Sequence, residues 1–224
     1  MIIMPNFDLE ISCGKTVVAG VDEAGRGPLC GPVVAAAVVI PAQADKESKS
    51  EAIGSNEVAI RLPRSAASEI HCTKITDSKK LSHAQRIRAF DWIMQNCSVG
   101  IGQCSPAEID ELNILQATML AMKRSIDALP IMPEFVLVDG NRLPDGVVGT
   151  AIVKGDSKSL SIAAASIVAK VTRDKIMREL HAAHPEYGWD KNSGYPTKSH
   201  CAAILKYGIT KHHRRSFGPC KSEQ

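Results

Sequence analysis

The segment Val21-Asp22-Glu23-Ala24-Gly25-Arg26-Gly27-Pro28 joins two apolar runs, residues 17–21 and 33–40. Each run is short and rich in valine and alanine, a pattern that is typical of a buried strand. The two runs flank a turn, so they predict an antiparallel pair. We therefore expect the first two strands of the protein on either side of this segment.

Two acidic residues, Asp22 and Glu23, stand side by side at the end of the first run. Neighbouring side chains in a strand point to opposite faces, so these carboxylates are expected to share one site only if the strand breaks there. Gly25 and Gly27 are predicted to supply that break. Carboxylates at a strand end suggest a site for a hard cation. The guanidinium of Arg26, close to them in the sequence, is suited to bind a phosphate. An isolated acidic pair is more often a solvated strand-to-turn junction, so the rest of the sequence must decide.

Length and composition are those of an ordinary globular protein. The chain has 224 residues, of which 44% are hydrophobic and 23% charged, with a formal net charge of +3. We expect a single domain over residues 1–224, with an α/β core at 17–183 that contains a loop-rich excursion at 42–76. The section 184–224 is predicted to be helical and basic, because its last 27 residues carry six Lys/Arg and one Glu.

Cysteine usage and the N-terminal sequence predict where the protein acts. The seven cysteines form no CxxC pair and no Cys/His ligand pattern, which favours a reducing compartment over a disulfide framework. Asp8 and Glu10 stand where a signal peptide would have basic residues. The longest apolar stretch, 28–41, is too short and too interrupted by Gly and Pro to span a bilayer. The chain is therefore predicted to be a cytoplasmic, soluble monomer.

Periodicity and capping signals predict the remaining elements. They are a helix from Ser82 to Asn96, a strand at 98–103, one long amphipathic helix from Ser105 to Leu129, strands at 135–138 and 151–153, a helix at 161–183, and a helix from Thr197 to Tyr207 that Gly208 stops. Ser82 with Gln85, and Ser105 with Glu108, form capping-box patterns. A weaker strand candidate lies at 57–62. This order predicts an α/β fold with a mixed sheet, followed by a helical C-terminal section.

Two later strands also lead into acidic residues. One predicted strand is followed directly by Asp139, and the next leads to Asp156. Ligand sites of open α/β sheets gather at the carboxyl ends of strands, so these residues are expected to converge with Asp22 and Glu23. Four converging carboxylates repel one another unless cations neutralise them. Two Mg²⁺ or Mn²⁺ ions would do so and leave coordination positions for water and a phosphate.

Eight blocks of sequence carry a more specific signal. They are Val21-Asp22-Glu23-Ala24-Gly25-Arg26-Gly27-Pro28, Asp77-Ser78-Lys79-Lys80-Leu81-Ser82, Glu108-Ile109-Asp110-Glu111-Leu112-Asn113-Ile114-Leu115, Val138-Asp139-Gly140-Asn141, Lys154-Gly155-Asp156-Ser157, Ala164-Ala165-Ser166-Ile167-Val168-Ala169-Lys170-Val171-Thr172-Arg173-Asp174, Gly194-Tyr195-Pro196-Thr197 and His213-Arg214-Arg215-Ser216-Phe217-Gly218-Pro219. In this order the blocks resemble the bacterial ribonuclease HII family over most of the chain. The excursion at 42–76 departs from the family, whose members usually have a much shorter link there.

The resemblance implies an RNase H-like fold, a five-stranded mixed sheet flanked by helices. It also implies an endoribonuclease that cleaves the RNA strand of RNA–DNA hybrids and incises 5′ of single ribonucleotides embedded in duplex DNA. Such an enzyme leaves 3′-hydroxyl and 5′-phosphate ends and serves ribonucleotide excision repair and DNA replication. Asp22, Glu23, Asp139 and Asp156 would be its catalytic residues and would hold two Mg²⁺ or Mn²⁺ ions.

Substrate contacts are implied for a second set of residues. Backbone groups of Gly25-Arg26-Gly27 would read the ribose 2′-hydroxyl, the group that separates RNA from DNA at one nucleotide. Tyr195 would pack on the adjoining deoxyribose. Contacts with the phosphate backbone are expected from Lys79, Lys80, Lys158 and Arg214.

Two other functions stay open at this point. One is a different nuclease of the same fold, such as ribonuclease HIII, although the short segment before the first strand and Tyr195 in Gly-Tyr-Pro favour ribonuclease HII. The other is a non-catalytic module that binds RNA–DNA hybrids, although all four acidic positions are present. Asp174 also lies in a matching block, but its place in mid-helix predicts a structural role. Protein partners and the role of residues 42–76 are left open.

Overall fold

The computed structural model describes residues 5–41 and 75–223. The strands of its sheet are β1 (Val18–Ala24), β2 (Val33–Val39), β3 (Ser98–Cys104), β4 (Phe135–Asp139) and β5 (Gly149–Ile152). The α-helices in this part of the chain are α1 (Asp8–Ser12), α2 (His83–Asn96), α3 (Pro106–Leu112), α4 (Ile114–Asp127), α5 (Leu160–Ala183), α6 (Trp189–Asn192) and α7 (Lys198–Tyr207). Short 3₁₀ helices cover Gly155–Ser157, Pro185–Tyr187 and Gly218–Glu223. The predicted excursion at 42–76 and the strand candidate at 57–62 lie outside the described residues, apart from Ile75 and Thr76, which are buried.

The sheet is mixed, with the strand order β3-β2-β1-β4-β5. β1 pairs antiparallel with β2, and β2 pairs antiparallel with β3. β1 also pairs parallel with β4, and β4 pairs parallel with β5. The antiparallel pair predicted on either side of the Gly25–Gly27 turn is therefore confirmed, and so is the five-stranded mixed sheet.

Helices cover both faces of the sheet, and glycines let them approach closely. On one face α5 crosses β1, where a Cβ at Gly20 would lie 2.2 Å from the Ser161 carbonyl carbon. On the other face α4 packs on β3, where a Cβ at Gly102 would lie 2.2 Å from the Ala121 carbonyl oxygen. An apolar core fills each interface, with α2 and α5 contributing to the first and α4 to the second. The backbone of α5 consequently runs directly behind β1.

The single long helix predicted from Ser105 to Leu129 is wrong, because Asn113 divides it. Asn113 has a φ of +69° and separates α3 from α4. Asparagine tolerates positive φ better than most residues. Its side-chain oxygen accepts hydrogen bonds from Leu115 N at 3.0 Å and Gln116 N at 3.2 Å, so it caps the second helix. The predicted capping boxes at Ser82 and Ser105 are confirmed.

β1 is longer than predicted, and the break in it comes later. Pairing with β2 continues through Asp22 and Glu23 to Ala24. The chain leaves the strand only at Gly25, whose φ is +97°. The expected break at the acidic pair is therefore wrong, whereas the break at the glycine is confirmed. Asp156 does not end a strand either, since it lies on the short 3₁₀ helix that follows β5.

Aromatic and histidine side chains form the core of the C-terminal section. Tyr187 and Trp189 stack with ring centroids 4.9 Å apart, and Trp189 Nε1 donates a hydrogen bond to His200 Nε2 at 3.0 Å. The same core includes Leu29 and Cys30, which follow the Gly25–Gly27 turn. The section therefore packs directly against the loop after β1. The helix predicted from Thr197 to Tyr207 is confirmed as α7.

The short helix α1 has no counterpart among the predicted elements. Its Glu10 is buried and accepts hydrogen bonds from Ser159 Oγ at 2.6 Å and from Ser161 N at 2.9 Å. These contacts attach α1 to the start of α5. Within the described residues, no helix is both long and apolar enough to cross a membrane.

Candidate active site

A cleft of about 460 Å³ lies beyond the carboxyl ends of β1 and β4. Its lining consists of Asp22, Glu23, Ala24, Gly25, Arg26, Gly27, Ser78, Lys79, Asp139, Asp156, Ser166, Lys170, Arg173 and Tyr195. The structure thus brings together the four predicted acidic residues, the Gly25–Gly27 turn and Tyr195. A larger groove of about 540 Å³, beside β3 and α3, contains none of the predicted site residues.

Asp22 and Glu23 reach the cleft from neighbouring positions of β1. The Asp22 side chain is hydrogen-bonded to Ser166 of α5, and its Oδ1 accepts a hydrogen bond from Glu23 N at 2.7 Å. The Glu23 carboxylate lies 3.4 Å from the Arg26 guanidinium. Because the cleft begins where the strand ends, side chains from both faces of the strand can turn toward it.

Asp139, the last residue of β4, contacts the loop that follows β5. Its Oδ1 accepts a hydrogen bond from Gly155 N at 2.6 Å. A Cβ at Gly155 would lie 2.6 Å from Ile162 Cδ1 and 3.3 Å from Asp139 Oδ1, so any larger residue would force the Ile162 side chain to move. The next residue is the partly buried Asp156, and a positive φ of +56° at Lys154 starts the tight turn that carries it. The turn brings Asp156 to the cleft although no strand ends on it.

Burial and mutual repulsion raise the pKa of three of these carboxyl groups. Burial is the largest cause for Asp22, followed by the charges of Glu23 and Asp139. Burial also raises the pKa of Glu23, and the charge of Asp139 adds to the effect. For Asp156 burial again comes first, while nearby lysines oppose the rise in its pKa. The chain itself therefore compensates only part of the negative charge in the cleft.

The carboxylates are not arranged as a finished metal site. Over residues 5–41 and 75–223, no three His, Cys, Asp or Glu side chains are grouped so that they could hold a metal ion. Oxygens of Asp22 and Asp139 instead accept hydrogen bonds from backbone N–H groups. The donor chemistry nevertheless fits Mg²⁺ or Mn²⁺, because all four side chains offer oxygen ligands whose mutual repulsion a cation would relieve. The residues that could hold such ions are Asp22, Glu23, Asp139 and Asp156.

The two glycines of the turn have different surroundings. At Gly25 a Cβ would lie 2.0 Å from Arg173 Nε, so any side chain there would collide with a buried guanidinium. At Gly27 the nearest atom to a Cβ would be Tyr195 Cε1 at 3.4 Å. Gly25 is therefore required by internal packing, whereas Gly27 keeps the backbone beside Tyr195 uncovered.

Arg214 is buried, although the sequence predicts it on the surface. The sequence predicts it in a patch that contacts nucleic acid, but its side chain is 0% exposed. Its guanidinium donates hydrogen bonds to the carbonyl oxygens of Gly25 at 2.6 Å and Arg26 at 2.9 Å. Such burial leaves no surface for a ligand, so the expected substrate contact is corrected to a contact with the turn that lines the cleft.

The predicted lysines and Tyr195 differ in their access to the cleft. Lys79 is exposed and lines the cleft. Lys80 is also exposed, and its charge helps to lower the pKa of Asp156. Lys158 is exposed but does not line the cleft, and its Nζ donates to a carbonyl of the loop after β5 at 2.8 Å. The ring of Tyr195 is 47% exposed, as a surface for stacking has to be.

Three residues of α5 line the cleft without having been singled out in the sequence. They are Ser166, Lys170 and Arg173. Their intervals of four and three residues place them on one face of the helix. Ser166 Oγ lies 3.0 Å from Ser78 Oγ, and Lys170 forms an ion pair with Asp174 at 2.6 Å. A polar stripe along an alanine-rich helix is the sequence signal that could have identified them.

Comparison with known proteins relates the chain to one family. The family model described as Ribonuclease HII matches residues 19–57 and 53–220. These ranges include every residue predicted for the site. The Ribonuclease HII of Magnetococcus marinus is 48% identical over 97% of this chain and 95% of its own length.

Solved structures share the architecture. Ribonuclease H2 from Pyrococcus horikoshii OT3 superposes with a TM-score of 0.66 at 26% identity, covering 92% of this chain and 96% of its own. Bst-RNase HIII, solved in complex with Mn²⁺, superposes with a TM-score of 0.64 at 19% identity, covering 94% of this chain and 70% of its own. At that identity the second likeness concerns the fold alone. The sheet and its helices form an RNase H-like fold.

Proposed function

The chain belongs to the ribonuclease HII family and is a nuclease of the ribonuclease H type, and we propose that it hydrolyses the RNA strand of RNA–DNA hybrids. We also propose that it incises 5′ of single ribonucleotides in duplex DNA. The products would carry 3′-hydroxyl and 5′-phosphate ends. The observation that carries the proposal is the one cleft in which four acidic side chains lie beside the Gly25–Gly27 turn. The acidic side chains suit phosphodiester chemistry, and the turn suits recognition of a ribose.

Asp22, Glu23, Asp139 and Asp156 are proposed to hold two divalent cations. When bound, Mg²⁺ or Mn²⁺ supplies a water nucleophile at neutral pH and stabilises charge on the leaving 3′-oxygen. The described residues that line the cleft include no cysteine and no histidine that could activate Ser78 or Ser166, so water rather than a side chain is the proposed nucleophile. Ser166 orients one of the proposed ligands through its hydrogen bond to Asp22.

Recognition of the ribose is assigned to the turn and to Tyr195. The backbone at Gly27 is uncovered, since the nearest atom to a Cβ there would be 3.4 Å away. A 2′-hydroxyl both donates and accepts hydrogen bonds, so backbone groups can distinguish it from the hydrogen of a deoxyribose. The exposed ring of Tyr195 offers a face for the adjoining sugar.

Phosphate binding is assigned to Lys79 and Lys80. Both are exposed and both act on the charge of Asp156 in the cleft. Lys158 is kept as a third phosphate contact, although it would first have to release its hydrogen bond to a loop carbonyl. Such contacts would position the duplex without reading its sequence.

Incubation with duplex DNA that carries one ribonucleotide tests the proposal. In the presence of Mg²⁺ or Mn²⁺ we expect incision 5′ of the ribonucleotide, with 3′-hydroxyl and 5′-phosphate ends. The same duplex without the ribonucleotide is the control and should stay intact. If folded protein leaves both duplexes intact, the proposed function is wrong.

The alternative functions predict different results. A ribonuclease HIII-like enzyme would cut long hybrids but not the duplex with one ribonucleotide, and the family match favours ribonuclease HII over it. A non-catalytic module would bind hybrids equally well with and without metal and cut neither substrate.

We further propose that residues 1–224 form one catalytic domain that acts as a cytoplasmic monomer. Gel filtration at the mass of a dimer would contradict the last point.

A further inference from the structure

Two buried arginines lie behind the Gly25–Gly27 turn. Arg214, from the C-terminal section, is 0% exposed, and Arg173, from α5, is 1% exposed. The two residues come from distant parts of the chain and meet the same loop. Their side chains donate hydrogen bonds to backbone carbonyl oxygens.

Arg214 holds the turn itself. Its Nη2 donates to the Gly25 carbonyl at 2.6 Å and its Nη1 to the Arg26 carbonyl at 2.9 Å. Its Nε and Nη2 both donate to the Gly31 carbonyl, at 3.0 Å and 2.9 Å. One planar guanidinium thus joins the start of the loop to a residue six positions after Gly25.

Arg173 ties the same loop to the segment of Tyr195. Its Nε donates to the Pro32 carbonyl at 3.1 Å and its Nη2 to the Cys30 carbonyl at 3.0 Å. Its Nη1 donates to the Ser193 carbonyl at 3.0 Å, two residues before Tyr195. The loop after the turn and the segment that leads to Tyr195 are therefore held by a common side chain.

Burying two cations close together is costly, so their arrangement calls for a reason. Burial lowers the pKa of Arg214 to about 9, and the charge of Arg173 adds to this effect. A guanidinium presents several donors in one rigid plane, which lets it hold several carbonyls at fixed relative positions. A lysine at either position would concentrate its donors at one flexible point.

We propose that Arg173 and Arg214 are positioning residues for ribose discrimination. Together they hold five carbonyl groups of residues 25–32 and the carbonyl of Ser193. This keeps the Gly27 backbone and Tyr195 at the spacing that accepts a ribose with its 2′-hydroxyl. Arg214 has no exposed surface for a substrate, and Arg173, which lines the cleft, is only 1% exposed. The inference rests on the proposed function and adds to it the residues that set its specificity.

The test compares Arg173→Lys and Arg214→Lys with Arg178→Lys, an exposed position of α5. Two values are measured for each variant at a temperature where circular dichroism shows it to be folded. The first is kcat/KM for duplex DNA with one ribonucleotide, and the second is the Ki of the same duplex without it, used as a competitor. We expect kcat/KM to fall on the order of 10²-fold in the two buried variants, as displacement of a positioned group produces. The Ki values of Arg173→Lys and Arg214→Lys should stay within about twofold of wild type. For Arg178→Lys, both kcat/KM and Ki should stay within about twofold of wild type.

Two results would overturn the proposal. A folded buried variant with wild-type kcat/KM would show that the guanidinium does not position the turn. An equal weakening toward both duplexes would show a loss of general duplex binding instead of discrimination.

Hydrogen exchange of the wild-type protein tests the same arrangement without a substitution, in case both lysine variants unfold. The amides of Leu29 and Gly31, which donate to the carbonyls of Gly194 and His212, should exchange as slowly as those of β1. Exchange as fast as in exposed loops would overturn the proposal. If the wild-type protein fails to incise the ribonucleotide duplex, the proposed function is wrong. The exchange result then still shows whether the loop after the turn is held rigidly.

Discussion

Two groups of buried charge meet at the Gly25–Gly27 turn, and their partners differ. The guanidinium groups of Arg173 and Arg214 each donate to three backbone carbonyls. Three carboxylates on the cleft side, those of Asp22, Glu23 and Asp156, have raised pKa values, because they are buried and lie close to other carboxylates. The cationic group therefore finds its hydrogen-bond partners within the chain, whereas the chain offsets only part of the charge of the anionic group.

This difference indicates what each group of charges is for. A buried charge whose hydrogen bonds are complete holds a structure in one arrangement. A cluster of like charges that the chain leaves uncompensated costs stability, and such clusters occur where a ligand is to be bound. The arginines position the turn between the two groups. The turn is expected to act together with the carboxylates.

The largest effect is expected from removing one charge of the anionic group. Asp139→Asn keeps the size of the side chain but weakens the proposed cation site. We expect kcat to fall by more than about 10²-fold, beyond what the loss of an outer-shell partner costs, while duplex binding persists. Asp145→Asn, an exposed position, serves as the control. Near-normal turnover of Asp139→Asn would contradict the assignment of the metal ligands.

Substituting the two glycines separates the two sides of the turn. Gly25→Ala places a methyl group against Arg173 at a φ of +97°, so we expect a loss of stability of about 1–3 kcal/mol or more. Gly27→Ala meets only the edge of Tyr195, so its stability should change by less than about 0.5 kcal/mol. Its kcat/KM on the ribonucleotide duplex should nevertheless fall by about 10–100-fold, because the cleft backbone is covered. Urea unfolding and incision assays on both variants give the comparison, and the reverse ranking would contradict it.

Acid should change the stability contributed by His213, beside Arg214, and by the carboxylate Asp22 with opposite sign. Burial and the neighbouring His200 lower the pKa of His213, next to Arg214, to about 4. An unfolded histidine titrates near ~6.5, so the contribution of His213 to stability is present above that pH and is lost as the pH falls toward about 4. The raised pKa of Asp22 acts the other way in metal-free protein, since its folded form takes up a proton at higher pH than its unfolded form.

Measuring the free energy of unfolding against pH tests whether the contribution of His213 is lost as the pH falls. His213→Gln should lose less stability than wild type between about pH 7 and pH 5, because it removes the group that resists protonation. His83→Gln, at an exposed position, should follow the wild-type curve. Equal slopes for His213→Gln and wild type would contradict the role of this histidine.

The smallest effect is expected from an ordinary ion pair that serves as a reference. Glu108 lies 2.8 Å from Arg124 and accepts a hydrogen bond from Ser105 N at 2.8 Å. The hydrogen bond from Arg124 is the largest cause that lowers the pKa of Glu108 to about 2. Because solvent screens this pair, Glu108→Gln should cost about 0.5–1 kcal/mol at neutral pH.

The contribution of Glu108 is present above its unfolded pKa of ~4.3 and is lost as the pH falls toward about 2. Unfolding of the variant and of the wild type should therefore give the same free energy once the pH is below about 2. A difference that persists there would assign the effect to the helix cap instead of the charge.

Local signals in the sequence predicted the elements well, and they failed where an ordinary residue has an unusual backbone. Capping boxes at Ser82 and Ser105 start helices as expected, since a cap acts within three residues. Asn113 interrupts a helix through its positive φ. The spacing of the apolar residues continues unchanged across it, so the pattern does not reveal the interruption. The extent of β1 was underestimated because pairing with β2 holds Asp22 and Glu23 in the strand.

The succession of strands along the chain, the acidic residues near their ends and the glycine turn could all be recognised in the sequence, because each depends on neighbours a few positions away. The burial of Arg214 could not. Its place in a basic run is typical of a solvated patch, and only the packing of the C-terminal section on the loop after β1 removes it from water. Its partners are backbone carbonyls 183 to 189 positions away. Since every residue has a carbonyl, no sequence pattern marks such partners, and tertiary structure alone decides which arginine meets them.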